Sequence, residues 1–160
     1  MDNYVIDTSA LVTAKNYYPP KNFKPFWDFL IKLNKKHKLI IIDKVKTEIE
    51  NGYDYLSNDF AKKITTSDSD ISEVVNLFPQ IMKSLSGSQK IGINQWLKCP
   101  DPYVIAYGYY LKNDGKDVII LHSEKESGLK IRIPYVCNII GLKQALVHRI
   151  IEEEKLSFKF

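Results

Sequence analysis

Apolar residues fall along this chain in two patterns. Short, wholly apolar runs stand at Tyr4-Val5-Ile6, Leu39-Ile40-Ile41-Ile42 and Val118-Ile119-Ile120-Leu121. A run that shows no polar face reads as a strand buried on both sides. Ile131-Arg132-Ile133-Pro134 is read as a fourth, shorter strand. Between the runs, apolar residues recur at helical spacing. Phe26, Trp27, Phe29, Leu30 and Leu33 mark a helix over 24–36, and Leu142, Ala145, Leu146 and Ile150 mark a final one from Leu142 to about Glu154.

Stop and start signals fit this alternation. Asp7-Thr8-Ser9 can cap a helix that opens at Ala10. Asp43 can cap the helix carrying Val45, Glu48 and Ile49. Asp70 and Glu73 have capping-box spacing. Asp101 followed by Pro102 is a helix start, and Asn113-Asp114-Gly115 ends that helix. Tyr17-Tyr18-Pro19-Pro20 reads as a loop. Strands alternating with helices predict an α/β fold, a three-layer α/β/α sandwich around a mainly parallel sheet. At 160 residues, with neither an internal repeat nor a linker, one domain over 1–160 is expected.

Parallel sheets place ligands at the carboxyl ends of their strands. Asp7 follows the first strand. Asp43 and Glu48 follow the second, and His122-Ser123-Glu124 follows the third. Asp101 opens the helix leading into that third strand. Acids converging on one rim raise each other's pKa. A hard divalent cation relieves this, and Mg²⁺ or Mn²⁺ takes oxygen ligands. Such an ion beside a phosphate suits phosphodiester hydrolysis.

Composition narrows the setting. Cys99 and Cys137 form no disulfide framework and no zinc spacing. The apolar runs fall far short of the ~18 residues of a membrane helix, and no signal peptide is visible at the N-terminus. A cytoplasmic protein with no membrane partner is expected. The net charge is +4, but residues 21–46 alone hold eight lysines against two aspartates. Lysine is a point charge suited to phosphate, so Lys35, Lys36 and Lys38 are the candidates for holding a nucleic-acid backbone beside the acidic rim.

The motifs resemble the PIN-domain nucleases. Tyr4-Val-Ile-Asp-Thr-Ser-Ala-Leu11 resembles the family's opening, whose strand-end Asp is a metal ligand. Val45-Lys46-Thr47-Glu48 resembles the segment carrying its second acid. Cys99-Pro-Asp-Pro-Tyr-Val-Ile-Ala106 resembles the third, and Val118-Ile-Ile-Leu-His-Ser-Glu124 the fourth. Lys130-Ile-Arg-Ile-Pro-Tyr-Val-Cys137 resembles the late segment of a subgroup similar to VapC toxins. The resemblance spans essentially the whole chain. It implies catalytic acids at Asp7, Glu48, Asp101 and Glu124, with Asp7, Asp101 and Glu124 holding Mg²⁺ or Mn²⁺. Ser9 is expected to hydrogen-bond the acids.

Two departures stand out. Glu124 occupies a position where Asp is common, and Glu126 is the alternative if the register shifts by two. His122 stands where a hydroxyl residue is expected, and offers either hydrogen bonding or ligation. The implied activity is metal-dependent RNA cleavage by the toxin of a toxin–antitoxin pair. An RNA substrate and a protein antitoxin are then the partners, and homodimers are common in such domains. The alternative is a PIN-like module that binds RNA or a protein without cutting. A haloacid-dehalogenase-type phosphatase is excluded, because Ser9 stands where a second Asp is required. Walker, serine-hydrolase and Rossmann glycine motifs are absent.

Overall fold

The computed structural model describes residues 3–52, 54–85, 93–124 and 131–157. The chain opens with β1 (Asn3–Ile6), α1 (Thr8–Tyr17), α2 (Lys24–Lys35), β2 (Leu39–Ile40) and α3 (Asp43–Glu50). A π-helical turn, Leu56–Phe60, runs into α4 (Ala61–Lys63). Three short helices follow: α5 (Ser72–Val75), α6 (Phe78–Lys83) and α7 (Ile93–Trp96). The last third holds α8 (Asp101–Asn113), β3 (Val118–His122), α9 (Ile133–Ile140), β4 (Lys143–Leu146) and α10 (Arg149–Glu153).

The sheet runs β2-β1-β3-β4 with every neighbour parallel. Helices flank it in a three-layer α/β/α sandwich, as the alternating pattern predicts. The central strands β1 and β3 are buried along nearly their whole length. Burying one such isoleucine side chain contributes about 2 kcal/mol. Gly108 lets α8 lie close on β3, since a Cβ there would collide with Ile120 Cδ1. Trp27 is buried under the loop it supports, and its Nε1–H donates to Tyr18 O at 2.7 Å. Among the described residues, no helix is long and apolar enough to cross a membrane.

The C-terminal third departs from the sequence pattern. Ile131–Pro134 is not a strand. Pro134 sits in the first turn of α9, where its missing N–H costs nothing. Leu142 to Glu154 is not one helix. Gly141 ends α9 in the left-handed conformation at φ 74°, and the chain then pairs with the open edge of β3. Lys143-Gln-Ala-Leu146 favours helix locally, so strand pairing here overrides propensity.

Several predicted caps do other work. Asp43 does not cap its helix. Its carboxylate instead accepts from Ser69 N at 3.0 Å and Ser69 Oγ at 2.7 Å. Asp70 does not cap α5 but pairs with Lys44 Nζ at 2.9 Å. The helix beginning at Asp101 has Pro100 in the cap position, which leaves the Asp101 carboxylate free for other partners.

Candidate metal centre

Asp7 leaves the end of β1 and becomes the N-cap of α1, because its backbone is still extended at φ −87°, ψ 158°. Its Oδ2 accepts from Ser9 N at 3.2 Å and Ser9 Oγ at 2.7 Å. The Ser9 hydroxyl also accepts from Ser123 N at 3.1 Å, tying the ends of β1 and β3 together. The residue is 2% exposed, yet Asp7 Oδ1 has no hydrogen-bond partner. Thr8 Oγ1 and Ser123 Oγ are buried without partners beside it. Such orphaned atoms ordinarily cost about 1–3 kcal/mol each.

Glu124 approaches from β3. Its Oε2 accepts from Ile133 N at 2.8 Å, which satisfies an open N–H in the first turn of α9. Asp101 approaches from the first turn of α8 and shares a hydrogen bond with Glu124. Asp7, Asp101 and Glu124 each offer a carboxylate oxygen, and the three oxygens lie within 4.8 Å of one another. The group can hold a metal ion.

The electrostatics state the need for a cation. Burial pushes the Asp7 carboxyl from 3.8 up to about 6, against the Ser9 hydroxyl bond that favours the ion, and the Glu124 charge adds to the rise. Asp101 is raised further, to about 9, first by burial and then by the charges of Asp7 and Glu124. No lysine or arginine pairs with any of the three among the described residues. A partly buried carboxylate group with no cationic partner among the described residues, one orphaned oxygen and hard oxygen donors fits a divalent ion.

The pattern that defines a domain of unknown function, DUF4411, matches residues 4–158. The chain belongs to that family. No curated protein and no solved structure matches it.

Other predicted residues take varied places in this DUF4411 chain. Glu48 is exposed on α3, outside the three-carboxylate group but close enough for its charge to raise Asp101. It lines a cavity of about 430 Å³ with Lys44, Lys98, Cys99 and Tyr103. The Cys99 thiol is raised by burial and then by Asp101 and Glu48, a second sign that these acids share one field. Glu126 lies outside the described residues.

His122 hydrogen-bonds rather than ligates. Its Nδ1 accepts from Glu124 N at 3.0 Å, and its Nε2 bonds Gln144 Oε1. With both ring nitrogens engaged, neither is free for a metal. Gln144 of β4 therefore supports the centre through His122. Nothing in the sequence pattern marked it, because its strand reads as helix.

The lysine-rich stretch is not beside the acids, contrary to expectation. Lys35 ends α2, and Lys36 and Lys38 lead into β2. Lys38 O accepts from Tyr4 N at the amino end of β1. Lys35, Lys36 and Lys38 therefore stand at the opposite edge of the parallel sheet from Asp7. Among the described residues, Lys44 and Lys98 line the same cavity as Glu48, nearer the acidic rim.

Proposed function

We propose that this protein is a Mg²⁺- or Mn²⁺-dependent endoribonuclease, acting as the toxin of a toxin–antitoxin pair. The observation that carries the nuclease reading is the unpaired carboxylate group Asp7, Asp101 and Glu124, with Asp7 Oδ1 buried and unsatisfied. These three residues would hold the ion. Bound there, the metal supplies charge neutralisation at the scissile phosphate and activation of water.

The chain's own residues do the positioning. Ser9 fixes one oxygen of Asp7 and leaves the other buried and unsatisfied. The α9 amide and the His122–Gln144 pair hold Glu124 from two sides. Glu48 stands on the cavity wall, placed to accept a proton from the attacking water. Lys98, exposed on that wall, is placed to meet a phosphate next to the cut. A protein antitoxin is the expected partner, closing the cleft over the acids.

The non-cleaving alternative rested on His122 in place of a hydroxyl residue and on Glu124 in place of the common Asp. Glu124 nevertheless brings a carboxylate oxygen within 4.8 Å of those of Asp7 and Asp101. Ser9 and Ser123 supply hydroxyls at that rim, and His122 holds Glu124 in place. This favours a working centre.

The test is cleavage of single-stranded RNA by the purified chain with Mn²⁺ and with chelator, beside a calorimetric Mn²⁺ titration. Metal-dependent cleavage that Asp7→Asn and Asp101→Asn both abolish is the expected result. Specific Mn²⁺ uptake without cleavage would favour the binding module. Equal cleavage by the folded variants would overturn the site.

A further inference from the structure

We propose that the cavity on the β4 side of the acidic centre seats a nucleobase of a single-stranded substrate, next to the phosphate at the acids. The proposal rests on the nuclease reading above and adds where the substrate's uncharged part goes. The cavity has a volume of about 890 Å³, in the ~300–1,000 Å³ range of small-molecule sites. Glu124 is part of its wall, so it borders the three-carboxylate group on the Glu124 side.

Its chemistry differs from that of the cavity beside Glu48. That smaller space is lined by Lys44 and Lys98. Among the described residues, the larger one has no lysine or arginine on its wall, and its carboxylate is Glu124. A phosphate is repelled there, whereas a neutral ring is not. Tyr17 lines this cavity and is 74% exposed. An exposed ring of this kind is a stacking platform for a base. Beneath it Tyr18 is held by Phe23 and Phe26, at centroid distances of 5.6 and 4.9 Å. Thr13 and His148 add a hydroxyl and an imidazole able to hydrogen-bond the edge of a base. A flat neutral ring with polar edges matches all of these groups. The two cavities on either side of the acids then divide one strand, with phosphate on the Lys98 side and base on the Tyr17 side.

The experiment has two arms. In the first, NMR follows the Tyr17 and His148 rings while nucleoside 5′-monophosphates, or ribose 5-phosphate, are added to the Mg²⁺-loaded chain. Shifts with the nucleotides but not with ribose 5-phosphate are expected. Equal shifts with both, or none with either, would overturn the base seat whether or not the protein cuts RNA. In the second, Tyr17→Ala and Tyr17→Phe are compared in cleavage and in binding of a fluorescent single-stranded RNA. Tyr17→Ala should weaken binding about tenfold. Tyr17→Phe should bind like the parent, and His148→Ala should relax base preference at one position beside the cut. Mn²⁺ uptake should stay unchanged in all three. Parental affinity and base preference in Tyr17→Ala and His148→Ala, with cleavage still dependent on Asp101, would remove the base seat and leave the nuclease reading intact. If a peptide competes for the cavity and nucleotides do not, the proposal is likewise overturned.

Discussion

Asn34 and Asp7 are equally buried, at 3% and 2% exposure, but they treat their polar atoms in opposite ways. Asn34 is closed. Its Nδ2 donates to Leu39 O at 3.0 Å and Thr65 O at 2.9 Å, and its Oδ1 accepts from Thr65 N at 2.8 Å. It fastens α2 to β2 and to the loop that follows α4. Asp7 is open: Ser9 satisfies one oxygen and nothing satisfies the other. A polar group kept for architecture has its bonds completed from within the chain. One kept for chemistry retains a valence for something from outside.

Substitution should separate the two most sharply. Asp101→Asn should cut RNA cleavage by at least ~10²-fold, measured as initial rate with saturating Mn²⁺. It should leave the metal-free melting temperature equal or higher, because a crowded carboxyl has been removed. Asn34→Ala should do the reverse. It strands two carbonyls and an N–H, so urea unfolding should show a loss of roughly 2–4 kcal/mol, with Mn²⁺ uptake by the folded protein unchanged. A large stability loss in Asp101→Asn would erase the distinction.

A smaller effect is expected one layer out. Gln144→Ala leaves His122 Nε2 unpartnered and loosens the backbone of Glu124. Calorimetry should show Mn²⁺ affinity weaker by about 10–100-fold, the usual loss for groups that orient a ligand. Parental affinity would mean that the Ile133 amide alone holds Glu124.

Acidity gives a further contrast. Asp7 and Asp101 are raised from 3.8 to about 6 and about 9, so the folded chain holds protons that the unfolded chain releases. With chelator, their contribution is fully present below about pH 4 and is lost as pH rises through those folded values. Melting temperature should therefore fall between pH 5 and 9 on their account. Mn²⁺ should flatten or reverse the trend, since the ion needs the ionised carboxylates. Asn34→Ala should lower both curves by a constant amount. A chelated protein whose stability rises across this range would contradict the burial of the acids.

The smallest effect belongs to the far edge of the sheet. Replacing Lys35, Lys36 and Lys38 together should change stability by less than about 0.5 kcal/mol per site and leave cleavage rates unaltered. Lys98→Ala should weaken RNA binding and reduce its salt dependence. The opposite ranking would place the substrate across the sheet from the acids.

The acids were legible in the sequence because each stands at a junction that local chemistry marks. Asp7 ends an apolar run, Asp101 precedes a proline, and Glu124 follows the longest strand. The lysines were misplaced for a reason the sequence also contained. Residues that lead into a parallel strand lie at the opposite edge from those that leave it, and Lys35–Lys38 lead in. β4 was not legible. Its four residues have no β-branched member, and they form a strand because β3 offers an unpaired edge more than a hundred residues after the chain began. Gln144 was hidden with it.

That late edge strand also sets a timetable for synthesis. Asp7, Glu48, Asp101 and Glu124 have all been made before Lys143 emerges from the ribosome. Until Lys143–Leu146 arrives, β3 has no outer neighbour and His122 has no Gln144 to bond. A chain stopped short of β4 would carry every acid of the centre while β3 stood as an open sheet edge, a surface prone to pairing with other chains. The last strand to be made completes the support of a centre whose acids were made earlier, so an interrupted translation product should aggregate before it can cut.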